Sequence, residues 1–193
     1  LREKNIQLSL QVDNLFQSGL QNEYLNELLN FKEESIYNIR TAKVINLGPG
    51  PIFSSLTIDL GSNDGIKKNL PIITTNGVVG KTILINEETS LVQTINDVNF
   101  RLSVKILPSE ATGIMRFYDN DVFEIREIQK NANINIGDIV VTSGFSKIYP
   151  EGLNAGVVTE IIDDRGSFQK VARSKNLYSE NYNLYVFVVQ EQN

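Results

Sequence analysis

Phe100-Arg101-Leu102-Ser103-Val104-Lys105-Ile106-Leu107-Pro108 is the stretch on which the reading of this chain turns. Phe100, Leu102, Val104 and Ile106 fall on one side of a period-two pattern, and Arg101, Ser103 and Lys105 on the other. Successive side chains of an extended backbone point to opposite faces, so this is a half-buried β-strand. Pro108 ends the run because it brings no N–H to a ladder. Working outward, the same period returns at 111–118, 122–128, 139–142, 157–162, 168–173 and 184–189, and on the other side at 91–95, 78–85 and 56–60. Ser62-Asn63-Asp64-Gly65 and Asp164-Arg165-Gly166 supply turns, the second a tight hairpin. About a dozen short strands with no helix-length pattern among them predict a mainly β fold of two small β-barrels or a sandwich. Residues 185–189 are apolar on both faces, which predicts an interior strand that closes either barrel.

Residues 1–40 follow another period. Leu1, Leu8 and Leu15 recur every seven residues with Val12 on the same face, and Leu29 continues the row. That is the narrow seam of a coiled coil, and it predicts a homodimer interface at Leu1, Leu8, Val12, Leu15 and Leu29. A helix over most of this stretch would be roughly 55 Å long. With the leucines at d, the a positions are Asn5, Val12, Gly19 and Asn26, which set register more than strength. The pattern loosens between Gly19 and Asn22 and resumes with Leu25, Leu28, Leu29 and Ile36, predicting a stutter or bend near Gly19. The alternative is an amphipathic helix folded back on the domain behind it. Gly48-Pro49-Gly50-Pro51 stops any continuation. The expected division is a coiled-coil helix over 1–40, a first β-barrel over 41–109 and a second over 110–193, with the last strand free to return to the first barrel.

Of the 193 residues 41% are hydrophobic and 21% charged, enough for a real core. With 18 basic against 23 acidic residues the net charge is −5, and no basic run is interleaved with aromatics. Nucleic-acid binding is disfavoured, because a phosphate-reading surface needs a basic patch. There is no cysteine and hence no disulfide or thiolate chemistry. The chain starts at Leu1 and its one methionine is Met115, which predicts a piece of something longer and leaves room for an anchor ahead of Leu1. No run of 18 apolar residues occurs within it.

The absence of histidine removes the usual general base, the Ser-His-Asp arrangement and the commonest metal ligand. Gly80-Lys81-Thr82 imitates the end of a phosphate loop, but Thr75 stands where that pattern needs glycine and the segment alternates like a strand. Ser143 and Ser146 near Lys147 suggest a Ser/Lys hydrolase; their spacing departs from the helical S-x-x-K motif and suits a turn better. Asp163 and Asp164 lack the alternation of a calcium loop, as does Asp64. No catalytic, cofactor or metal site is assigned. Tyr178, Tyr182 and Tyr185 are a candidate aromatic patch.

Two groups of residues carry a family resemblance. Asp64-Gly65-Ile66, Leu70-Pro71-Ile72, Gly77-Val78-Val79-Gly80-Lys81, Ser90-Leu91-Val92 and Asn96-Asp97 form the first. The second, more specific, is Gly137-Asp138-Ile139-Val140-Val141-Thr142-Ser143-Gly144, then Ile148-Tyr149-Pro150-Glu151-Gly152-Leu153 and Gly156-Val157-Val158. In order and spacing they resemble MreC, the bacterial rod shape-determining family. The motif residues Asp64, Gly65, Gly137, Asp138, Ser143, Gly144, Pro150, Gly152 and Gly156 also read as turn residues without the family. Tyr149 replaces a frequent Phe and Glu151 a frequent Pro or small residue, both in what reads as an exposed loop.

The resemblance implies a chymotrypsin-like double barrel without catalytic groups, in a non-enzymatic scaffold on the outer face of the cytoplasmic membrane. It implies a single upstream span and a role in organising the peptidoglycan elongation complex. Implied partners are MreB, MreD, RodA and the class B penicillin-binding transpeptidase. The rival readings are the Ser/Lys hydrolase and a periplasmic adaptor of an export system, which would show a helical hairpin flanked by strands.

Overall fold

The computed structural model describes residues 2–49, 54–176 and 185–190. The chain divides into two compact units, Leu1–Asn38 and Ile39–Asn193. The first is the helix α1 (Arg2–Glu34), which runs without interruption through Gly19, so the expected stutter does not break its hydrogen-bonded run. It also ends short of residue 40. Ser35 accepts from the Tyr37 N–H and donates to the Tyr37 carbonyl, turning the chain, and residues from Ile39 on are a strand. Among the described residues no helix is long and apolar enough to cross a membrane.

The second unit is two closed, antiparallel, six-stranded barrels. The first contains β1 (Ile39–Leu47), β2 (Ser55–Ile58), β3 (Pro71–Thr74), β4 (Gly77–Ile85) and β5 (Ser90–Thr94). The second contains β6 (Leu102–Leu107), β7 (Ala111–Asp119), β8 (Val122–Gln129), β9 (Ile139–Thr142), β10 (Asn154–Ile162) and β11 (Gln169–Lys175). β12 (Tyr185–Val189) then returns to the first barrel, where it lies between β1 and β3 with Val186 to Val188 fully buried. The barrel orders are β1-β12-β3-β4-β5-β2 and β10-β11-β8-β7-β6-β9.

Two expectations need correction, and two strands are new. The helix does not reach residue 40. Leu102–Leu107 belongs to the second barrel, so the barrels do not divide at 109/110; Pro108 lies in the turn that joins β6 to β7 rather than at a domain boundary. Two strands, β1 and β3, carry no clean alternation in sequence. β1 is bulged between Val44 and Asn46, which breaks its period, and β3 has four buried residues and opens on proline.

Ala42, Leu56, Ile58, Ile72, Val79, Val92, Val186 and Val188 fill the first barrel together with Ile66 and Leu70 from the loop before β3. In the second, Leu102, Val104, Ile106, Met115, Phe123, Ile125, Ile128, Val140, Val158 and Ala172 are buried. The barrels meet where the β3–β4 turn of one faces the start of β10 in the other. A Cβ on Gly77 would lie 2.4 Å from the Asn154 carbonyl oxygen, and the Asn176 side chain donates to the Val78 carbonyl at 3.2 Å. Phe100, in the connection between barrels, packs edge-on against Tyr149 with ring centroids 6.4 Å apart.

Candidate interaction surfaces

The proposed seam on α1 is in water. Leu8 is 51% exposed, Val12 63%, Leu15 73% and Leu29 52%. Apolar side chains left open in heptad spacing are what a helix shows when its partner is another chain. Leu1 lies outside the described residues, as do Tyr178 and Tyr182; Tyr185 opens β12 and is half-buried.

The second-barrel motif forms a braced loop. Gly137 and Asp138 turn the chain into β9, with the Asp138 carboxylate accepting from the Asn135 N–H at 2.8 Å and its carbonyl from the Val158 N–H at 2.9 Å. Ser143 is buried; its hydroxyl contacts that of Ser103 at 2.8 Å and accepts from the Phe145 N–H. Ser146 likewise accepts from the Ile148 N–H. Both hydroxyls of the supposed nucleophile are occupied in turns, and the residues have the turn role their spacing suggests.

Thr142, fully buried, ties the loop down: its hydroxyl donates to the Pro150 carbonyl at 2.6 Å and accepts from the Leu153 N–H at 2.9 Å. Thr82 does the same in the first barrel, donating to the Lys67 carbonyl at 2.6 Å and accepting from the Leu70 N–H at 2.9 Å. In each case the threonine lies on the strand paired with the one the loop leads into. Gly65, Gly137, Gly144, Gly152 and Gly156 all have positive φ. At Gly156 the space is closed as well, since a Cβ would approach the Lys175 carbonyl oxygen to 2.4 Å. Asp64 accepts from the Gly61 N–H and pairs with Arg40 at 2.8 Å, pinning β1 to the turn before β3. Tyr149 is not exposed as expected: it is buried against Phe100, its hydroxyl has no hydrogen-bond partner, and burial pushes its pKa up. Glu151 does lie in water and pairs with Lys105, which raises the Lys105 pKa.

Sequence reasoning missed a charged row across the outer wall of the second barrel, Glu160, Arg173, Glu124 and Arg116 on β10, β11, β8 and β7. Glu124 is buried beneath Arg116 and Arg126, each with its guanidinium 2.8 Å from the carboxylate. Burial pushes its pKa up, but the hydrogen bonds from Arg126 and Arg116 outweigh this and leave it lowered. Only strand register places these residues side by side. Asp163 pairs with Lys130 and Lys170, tying the β10–β11 hairpin to the turn after β8. Among the described residues no cluster of three or more carboxylates is placed to hold a metal. On β6, β9 and β10 Leu107, Ile139 and Val157 are apolar cross-strand neighbours that are not fully buried, and Ile136, three residues before Ile139, is 69% exposed. Among the described residues both barrels are closed, so their strands present side-chain faces and no open edge.

The family model for the barrel core of the rod shape-determining protein MreC matches residues 44–190. The chain belongs to the MreC family. MreC of Listeria monocytogenes is 29% identical over 154 residues, 76% of this chain and 52% of that protein. A solved MreC structure has a TM-score of 0.82 at 27% identity, covering 89% of this chain and 98% of the other. A solved complex between penicillin-binding protein PBP2 and MreC from Helicobacter pylori has a TM-score of 0.66 at 21% identity, covering 80% and 99%; that likeness is one of fold. The chain spans about half the length of the curated MreC relatives it matches.

Proposed function

We propose that this chain is the extracytoplasmic part of a non-enzymatic cell-shape scaffold, dimeric through α1, that holds peptidoglycan elongation proteins together at the cytoplasmic membrane. The carrying observation is the exposed seam of Leu8, Val12, Leu15 and Leu29 ahead of two closed barrels; in the sequence Leu1 has the same heptad spacing. Pairing the helices duplicates every barrel surface, and a partner with a second site then binds at raised effective concentration. Family membership supports the cell-shape role, and the PBP2 complex of a relative supports a class B penicillin-binding transpeptidase as one partner. RodA follows as that enzyme's companion. MreB and MreD would be reached through a single membrane span and cytoplasmic end ahead of Leu1. Asp64, Gly65, Gly137, Asp138, Ser143, Gly144, Pro150, Gly152 and Gly156 shape the barrels in this reading.

Molar mass in solution across a concentration series tests it, with Leu8→Asp/Leu15→Asp as the comparison. The parent is expected to be a dimer and the variant a folded monomer with weakened binding to an immobilised class B transpeptidase ectodomain. A parent that stays monomeric at high concentration and binds no elongation protein overturns the reading.

A further inference from the structure

α1 carries a second apolar row. At about 100° per residue, Ile6, Leu10 and Leu20 centre on a line about 150° from that of Leu8, Val12 and Leu15. They form the back of the helix. Both rows are open in its N-terminal half: Ile6 is 61% exposed, Leu10 58% and Leu20 49%. Further along the back row Leu28 is buried and Tyr24 and Phe31 are half-buried. A two-stranded coil buries one face of each helix. Pairing through the Leu8 row, the reading on which this inference rests, therefore leaves Ile6, Leu10 and Leu20 in water.

The two rows differ in charge. From Leu8 to Leu29 the front seam reads Leu8, Val12, Leu15, Gly19, Asn22, Asn26 and Leu29, with no charged residue, so a second copy fits against it without electrostatic cost. The back row reads Ile6, Leu10, Asp13, Gln17 and Leu20 in the same alternation of four and three. An identical helix laid there in register sets Asp13 against Asp13; staggered or antiparallel, it sets Asp13 against the row's apolar side chains or the neutral Gln17. Either arrangement leaves a carboxylate in the seam without a cation, and the flanking Gln7, Ser9, Asn14 and Gln21 supply none. A charge at a seam position selects partners by what it rejects.

We infer that Ile6, Leu10, Asp13, Gln17 and Leu20 form a docking face for a helix of a different protein, one with apolar residues in heptad spacing and a Lys or Arg level with Asp13. The occupant is heterologous, and the scaffold helix serves two partners on opposite faces.

Two synthetic helical peptides of the same leucine heptads, one with Lys and one with Glu at the position facing Asp13, are titrated against the protein by fluorescence anisotropy. The Lys peptide is expected to bind at least about tenfold tighter, and Asp13→Lys to reverse the order. Leu10→Asp/Leu20→Asp abolishes binding while the protein stays dimeric. Leu8→Asp/Leu15→Asp becomes monomeric and still binds the Lys peptide, with helix content checked by circular dichroism. Equal affinity for the two peptides, no binding of either, or binding lost only in the Leu8/Leu15 variant overturns the inference. A parent larger than a dimer that falls to a dimer on Leu10→Asp/Leu20→Asp also overturns it, by making the occupant a second copy. A monomeric parent that keeps the charge preference, lost on Leu10→Asp/Leu20→Asp, sinks the dimer reading and supports the docking face.

Discussion

Tyr149 shows how a single atom is left without a role. Its ring fills space beside Phe100, but its hydroxyl is buried with nothing to bond, and an unmet polar group in a core costs free energy. Tyr149→Phe removes only that oxygen. It should stabilise the protein by about 1 kcal/mol, a rise of roughly 2–4 °C in the thermal midpoint by calorimetry. Thr142 and Thr82 are the opposite case, buried hydroxyls that donate and accept in full. Neither kind of residue was legible in sequence, where Tyr149 sits among loop residues and the threonines among strand residues. The turn roles of Gly137, Asp138, Ser143 and Gly152 were legible, because a positive φ or a short side-chain-to-backbone bond is a local matter.

At the scale of elements, the second barrel's outer wall is stitched by Glu124 between Arg116 and Arg126. The folded pKa of Glu124 lies below its unfolded value. The stabilisation it contributes is therefore complete above the unfolded value and is lost as pH falls through the folded one. Unfolding followed from neutral to acid pH should show this loss starting at the ordinary carboxylate pKa and continuing below it. Glu124→Gln should cost about 2 kcal/mol at neutral pH and flatten that part of the profile. α1 was legible from its heptads, but its end was not. Ile36 continues the apolar spacing of the helix, while the first strand hides its own period behind the bulge at Val44. Four-residue β3, buried throughout, offers no alternation to read.

At the scale of the molecule, the two barrels are fixed against each other by backbone meeting backbone. Gly77 has φ +137° and faces the Asn154 carbonyl with no room for a methyl group. Gly77→Ala must move either the β3–β4 turn or the start of β10. It should cost about 1–2 kcal/mol, and the amide chemical-shift changes should gather at the junction of the barrels while both β-cores keep their signals. Shifts confined to the β3–β4 turn would show that the junction yields without the barrels moving.

The sequence alone determined the mainly β class, the leading helix, most of the strands and the turns between them, because period, proline and glycine act over a few residues. It also carried the family motif in order. Which strands close which barrel was decided only by tertiary structure. β12 returns across the whole second barrel to sit between β1 and β3, and β6 leaves the segment it follows to pair with β7 and β9. Such pairings join residues far apart in the chain, and a strand's local pattern states which face is buried but not which neighbour will bury it. The charged row on the outer wall and the Gly77 contact have the same origin, for they exist only once register and barrel closure bring distant residues together.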